Sequence, residues 1–394
     1  MSPARLLTRD FALVTLATMC FMLSFGATLP VLPRYVSNEL GGSDLAVGLV
    51  VGSYAVSAIA LRPLVGRLGD RRGRRFLVVG GAAITAVGMA AHIPANSIPL
   101  LIGARLIIGA GQGAVFVGAA TMVNDLAPPA RRGEAASFFS IAIYVGLGLG
   151  PFLGETLLAN GSFDAVWVAV TVGLILAALV GLMLPRGLPA TSDDGIEPLV
   201  RTGIARLLHP DGVGPGVIIF LGVIGFIGFN TFVPLYGEEL GMSDVAAVFL
   251  LYSGVVLAVR LLGRKLPDAY GPVVIGSFAL ATSALGLIGV AIWQAPIGLY
   301  LFTVVLGIGS SLLYPALMAA AVNSAHERER SAVVATFTLF FEFASVAGGA
   351  VLGIVASQTS YAGAFVAAAC FSLAGLVMLH VYLRPRLTVG SGHV

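Results

Sequence analysis

The chain has 394 residues, of which 58% are hydrophobic and only 10% charged, with a net charge of +3 and a mean hydropathy of +0.98. Soluble domains carry about 25% charged residues, so this chain cannot clothe a water-facing surface. A soluble enzyme, a nucleic-acid binder and a disordered scaffold are excluded. Cys20 and Cys370 each lie in an apolar run; two thiols build no disulfide framework, match no metal-ligand spacing, and read as small buried side chains.

A bilayer core about 30 Å thick takes about 20 apolar residues in a helix. Runs of that length are predicted at about residues 11–36, 45–65, 76–95, 97–122, 135–158 and 163–184, then 214–237, 244–262, 272–294, 296–321, 332–356 and 361–383. The fold class is therefore all-α and integral to a membrane, with twelve spans. Met1 to Asp10 reads as a short charged leader, and no cleavable signal peptide is expected because the first apolar run is too long for one. With the N-terminus inside, every Lys and Arg except Arg34 and Arg105 falls on the cytoplasmic side. That bias is the positive-inside rule. It predicts an inner (plasma) membrane protein with both termini cytoplasmic, and it accounts for the pI near 9.0 without nucleic acid.

The longest polar stretch, Pro185 to Pro215, divides the chain. Residues 1–184 are expected to form one six-helix bundle, 185–213 a cytoplasmic linker with a short surface helix at Ile204 to Leu208, and 214–394 a second bundle. The halves repeat one another. Glu39-Leu40-Gly41-Gly42-Ser43-Asp44 aligns with Glu239-Leu240-Gly241-Met242-Ser243-Asp244; further on, Arg62, Asp70 and Gly73 align with Arg260, Asp268 and Gly271, and Gly109 and Gly111 with Gly307 and Gly309. Ordered identities at nearly constant spacing indicate a duplicated unit, a common plan of secondary transporters.

Between the second and third spans stands Gly66-Arg67-Leu68-Gly69-Asp70-Arg71-Arg72-Gly73-Arg74-Arg75. It resembles the signature loop of the major facilitator superfamily, with Gly69 where Ala is commoner. Gly66 is expected to let the helix end pack closely and Gly73 to supply the tight turn. The resemblance implies a cytoplasmic gate involving Gly66, Asp70, Arg71, Gly73, Arg74 and Asp125; the alternative is that these arginines only fix topology. In the fourth span, Arg105-Leu106-Ile107-Ile108-Gly109-Ala110-Gly111-Gln112-Gly113 is similar to the superfamily's second motif. An intramembrane Arg is a functional hypothesis by default. The resemblance gives Arg105 a part in proton coupling; the alternative is a structural Arg satisfied by carbonyls.

Gly146-Leu147-Gly148-Leu149-Gly150-Pro151-Phe152-Leu153-Gly154-Glu155 looks like the antiporter motif of exporters, complete except that Glu155 replaces the last Gly. Gly146, Gly150, Pro151 and Gly154 carry that likeness. Gly26 to Tyr35 is similar to the Pro-bearing first helix of the twelve-span drug:proton antiporters, but no acidic residue stands between Asp10 and Glu39, where many polyspecific members have one.

Carboxylates within spans are few. Glu342 lies mid-way along the eleventh, among phenylalanines that penalise its charge, which suits a group that takes up and releases a proton; a packing Glu, or a partner of Arg105, is the alternative. Glu155 is expected near the outer end of the fifth span, within reach of external water. Tyr144 occupies the position of Glu342 in the first half and would face it. Phe25, Gln112, Tyr144, Phe229, Asn230, Tyr252, Tyr314 and Phe341 are the expected cavity lining, aromatic and weakly polar, suited to lipophilic or amphipathic cargo. His92, His209, His326, His380 and His393 have no metal spacing and read as solvated. No cofactor, no metal and no catalytic cluster is expected, and no P-loop appears. The reading is a proton-coupled exporter of the multidrug type, with a dedicated exporter of a native metabolite, lipid or sugar as the alternative; expected partners are small-molecule cargo, protons and membrane lipids, around a monomer.

Overall fold

The computed structural model describes residues 8–128, 131–186, 208–263, 266–323 and 329–383. They form twelve helices and, among the described residues, no strand: α1 (Arg9–Arg34), α2 (Asp44–Arg72), α3 (Arg74–Ala90), α4 (Ile98–Leu126), α5 (Arg132–Ala159), α6 (Phe163–Leu182), α7 (Pro210–Glu239), α8 (Ala246–Leu262), α9 (Leu266–Ile292), α10 (Pro296–Asn323), α11 (Arg330–Gln358) and α12 (Tyr361–Met378). Ten are long and apolar enough to cross a membrane. The other two, α3 and α8, have 17 residues each, the lower limit for a span. Pro94 lies just past the end of α3 and cannot continue a helix. Gly263 ends α8, its amide donating to Val259 O at 2.7 Å.

Helix starts follow local chemistry. Thr8 and Ser162 accept the amides of Phe11 and Ala165, capping α1 and α6, and so satisfy donors that the first turn leaves open. His209 caps α7, with Pro210 as its first residue, which sets that start a turn before the apolar run. The expected surface helix at Ile204 to Leu208 lies outside the described residues but for Leu208.

Two compact units are present. One takes Met1–Gly42, Leu49–Asp193 and Asp244–Ser253; the other takes Ser43–Gly48, Asp194–Ser243 and Gly254–Val394. Within the first, α1 packs on α5, α6 and α4, and α3 packs on α4 and α6. Within the second, α7 packs on α11, α12 and α10, and α9 packs on α10 and α12. Each pairing recurs six helices further on.

The duplication extends to single residues. Among the described residues, positive φ occurs at Gly41, Gly73, Gly241 and Gly271 alone, the glycines that align between the halves. A Cβ on Gly111 would meet the Thr85 amide at 2.7 Å, and one on Gly309 the Ser283 amide at the same 2.7 Å. At Gly73 (φ 87, ψ 160) and Gly271 (φ 77, ψ 159) the backbone sits where only glycine is comfortable. Gly73→Ala and Gly271→Ala are each expected to lower stability by about 1–3 kcal/mol, measured by thermal unfolding in detergent; unchanged unfolding would contradict the turn assignment.

Large apolar side chains stand exposed on the helices, among them Val87 (63%), Ile297 (69%) and Val377 (62%), as expected of surfaces that meet hydrocarbon. This corrects the reading of the cysteines: Cys20 is half-buried and Cys370 exposed, because an apolar run in a membrane has a lipid-facing side as well as a core.

Candidate transport site

The signature loop lies between α2 and α3. Gly73 breaks the helix, and Arg74 opens α3 with its Nε 3.8 Å from Asp125 Oδ2 on α4, both side chains largely buried. Arg72 lies over the Phe76 ring at 5.0 Å, and Arg75 Nη2 donates to Leu182 O at the end of α6. Arg71 is exposed, and the side chain of Asp70 lies outside the described set. Gly66 differs from expectation. A Cβ there would meet open space, whereas one on Gly69 would meet Leu77 Cδ1 at 2.7 Å. Close packing of α2 on α3 therefore runs through Gly69, on the helix face that α3 covers.

Arg105 on α4 is almost fully buried, at 2% exposure. Its Nε donates to Val50 O (3.3 Å) and its Nη2 to Val51 O (2.9 Å), both on α2. The guanidinium lies 4.9 Å from the Tyr54 ring and 5.9 Å from the Phe25 ring, and those rings meet edge to face at 5.5 Å. Cation–π contact of this kind strengthens when water is absent. One turn on, Ser57 Oγ donates to Leu106 O at 2.6 Å, tying α2 to α4 beside it. Carbonyls thus satisfy two of the nitrogens. Nη1 is buried and has no hydrogen-bond partner among the described residues.

The α5 motif is a row of close approaches to α1. A Cβ on Gly146 would meet the Leu23 amide at 2.8 Å, and one on Gly150 would meet Leu23 O at 2.6 Å. At Gly154 the obstruction is Ala27 O, and on α1 a Cβ at Gly26 would meet Gly146 O at 2.9 Å. Glycine every four residues lets two backbones touch, and Pro151 sits inside this helix.

At the end of the row, Glu155 is buried rather than reached by water. Its Oε2 lies 2.6 Å from Arg34 Nη1, with side-chain exposures of 1% and 7%. The departure from the motif is answered by the Arg on α1, which also explains why that Arg stands apart from the other basic residues. Neither residue announces the other across 121 positions; the signal was two lone charges at corresponding ends of spans.

The model of the family described as the Major Facilitator Superfamily matches residues 14–302 and 265–392. The chain belongs to the major facilitator superfamily. It is 28% identical over 372 residues to an MFS-type transporter of Salmonella typhimurium, covering 92% of this chain and 93% of that one. Among solved structures it is similar to a POT family transporter in complex with a thioalcohol conjugated peptide (TM-score 0.79, 14% identity, 96% of each chain). It is also similar to the nucleoside transporter NupG (TM-score 0.76, 13% identity, 95% of this chain and 98% of that one). At such identities the likeness shows the fold. As a superfamily member the chain is a multi-pass membrane transporter and not an enzyme.

The other residues expected in a superfamily cavity are distributed over both units. In the first, Phe25 is buried beside Arg105, while Tyr144 and Gln112 are half-buried. Gln112 Oε1 is itself shielded from solvent and accepts no hydrogen bond among the described residues. In the second, Tyr314 on α10 packs edge-on against Phe337 (5.4 Å) and Phe341 (6.1 Å) of α11, and Glu342 follows, partly buried. Asn230 Nδ2 donates to Phe226 O of its own helix, and Phe229 is fully buried. Tyr252, in the Asp244–Ser253 segment of the first unit, is 8% exposed. Tyr54 was missed from sequence; its aromatic ring among the small residues Gly52, Ser53, Ala55, Ser57 and Ala58 of α2 was the available signal.

Two histidines depart from the solvated reading. His92 is buried, its Nδ1 2.9 Å from Gly88 O and its ring against Trp167. His209 is buried at the start of α7, its Nε2 3.3 Å from Glu329. His92 lies in the short turn after α3 against α6, and His209 immediately precedes α7 beside α11. His380 is exposed, and His326 and His393 lie outside the described residues.

Proposed function

We propose that this transporter exports small lipophilic or amphipathic compounds from the cytoplasm in exchange for protons, by rocking of residues 1–184 against 214–394 in the inner membrane with both termini cytoplasmic. The observation that carries the reading is the glycine row of α5 seated on α1, since that motif resembles the one associated with exporters. The Arg74–Asp125 contact beside Gly73 supports a gate at the signature loop, in which Gly66, Asp70 and Arg71 take part. Glu342, in a helix rich in phenylalanine, is the titrating acid, and Arg105 and Glu155 hold the charges that respond to it. Phe25, Gln112, Tyr144, Phe229, Asn230, Tyr252, Tyr314 and Phe341 supply the substrate surface, with membrane lipids around a monomer. The solved relatives named above handle a peptide and a nucleoside, which supports a small-molecule cargo. One observation favours a dedicated exporter of a native metabolite, lipid or sugar instead: α1 has no acidic residue between Asp10 and Glu39.

Liposomes holding the purified protein under an imposed pH gradient test this. Efflux of several dyes and the accompanying proton movement are expected to rise together. Glu342→Gln is expected to slow pH-driven exchange about tenfold or more, as for loss of a dedicated proton-transfer group. Equal rates in the variant and the wild type would remove Glu342 from the mechanism; dyes left unmoved while one metabolite is exchanged would favour the dedicated exporter.

A further inference from the structure

The surroundings of Arg105 define what it lacks. Two aromatic rings attend the guanidinium from one side, Tyr54 at 4.9 Å and Phe25 at 5.9 Å, with their own centroids 5.5 Å apart. The edge bearing Nε and Nη2 is held by the Val50 and Val51 carbonyls. The nitrogen left over is Nη1, buried and without a hydrogen-bond partner among the described residues. Carbonyl dipoles and ring faces moderate a positive charge but do not neutralise it, and an uncompensated charge at membrane depth is costly.

No carboxylate of the described residues forms an ion pair with Arg105, and three acids of the neighbouring helices are engaged elsewhere. Glu155 holds Arg34, Asp125 faces Arg74, and Glu134 holds Arg131 at 2.8 Å. Gln112 lies seven residues along α4 from Arg105, two turns away on the same face and about 10 Å along the axis. Its buried Oε1 is a second polar atom without a hydrogen-bond partner among the described residues.

We propose that Arg105 and Gln112 form the head-group subsite for an organic anion, a carboxylate or sulfonate borne on an aromatic body. An anion oxygen lies in the guanidinium plane at Nη1, where a charge-assisted hydrogen bond is short and strong. The aromatic body packs against Phe25 and Tyr54, and Gln112 Oε1 accepts from a hydroxyl or amide of the same molecule. The inference rests on the transport reading above and narrows its cargo: the charge in the first unit selects against lipophilic cations and for lipophilic anions.

Thermal unfolding of the full chain in detergent tests it, with naphthalene-2-carboxylate and naphthalene-2-sulfonate as anions, naphthalene-2-carboxamide as the neutral isostere, and sodium chloride at matched ionic strength as the simple anion. Both naphthalene anions are expected to raise the unfolding temperature saturably, and the amide and chloride to leave it unchanged. Arg105→Gln is expected to weaken the anion effect roughly tenfold to a hundredfold, and Arg105→Lys, which keeps the charge but loses the fork, to weaken it less. If Arg105→Gln fails to fold, Arg105→Lys and Gln112→Leu carry the comparison, each expected to raise the half-saturating concentration. Stabilisation by the amide or chloride equal to that by the anions, no stabilisation by either anion, or undiminished anion binding in the folded variants would overturn the proposal. Flux in liposomes is scored separately. Proton-driven movement of a neutral dye without anion binding removes the anion subsite alone, and anion binding without proton-driven flux removes the coupling alone.

Discussion

Replacing Arg34 by Met is expected to destabilise the protein by about 3–5 kcal/mol, and adding Glu155→Leu to recover most of that loss. The pair lies between α1 and α5 at 2.6 Å with the carboxylate 1% exposed. Attraction in such a place roughly offsets the cost of taking two ions out of water, so the pair as a whole adds little net stability. Removing the cation alone is different. Glu155 then has either to hold its charge unpaired in a buried position or to take up a proton, and both are costly where Arg34 is the cation that the described residues bring to it. Met preserves most of the volume and apolar stem of Arg34, so the loss reports the charge and not a cavity. Leu at position 155 removes the stranded carboxylate. Thermal unfolding of the wild type, both single variants and the double variant closes the cycle. A double variant as unstable as Arg34→Met would show that the loss comes from packing around the two helices and not from an orphaned charge.

That ion pair also marks where sequence stops being informative. Twelve helices were legible because a membrane span announces itself by length and apolarity, and most observed ends fall within a turn of the apolar runs. The turn glycines were legible because Gly41, Gly73, Gly241 and Gly271 recur in register. Arg105 stood out by being charged at depth. What could not be read was rotation. The helices are apolar on nearly every side, so no polar stripe tells which face meets a neighbour, and the Val50 and Val51 carbonyls that hold Arg105 belong to backbone that any sequence would offer. Glu155 was read by its distance from the membrane surface alone; that it is sealed by Arg34 follows from how α1 and α5 pack. Gly66 was assigned a packing role by its place in a motif, but the face of α2 that meets α3 carries Gly69.

Rotation is open to a direct test with two glycines of opposite expected sign. Gly150→Ala is expected to cost about 1–3 kcal/mol, the range for forcing atoms into a filled interface, and Gly150→Leu to prevent accumulation of folded protein. The added Cβ at position 150 would lie 2.6 Å from Leu23 O and 2.8 Å from the Ala27 amide. Both obstacles are backbone and cannot turn aside as a side chain does, so α1 and α5 would have to separate and lose contact along the whole row from Gly146 to Gly154. Gly66→Ala meets open space inside α2, and alanine is the better helix former by about 1 kcal/mol. It is expected to leave stability unchanged or raise it by up to about that amount. Unfolding of the two alanine variants in the same detergent decides the matter. Equal losses would mean that α2 also meets a neighbour at Gly66, and a neutral Gly150→Ala would mean that α1 and α5 do not touch through their backbones. The functional consequence is separable from stability. Because Gly66 stands in the signature loop, a Gly66→Ala protein that folds normally yet transports slowly would place the role of that glycine in the motion of the helix end and not in its packing.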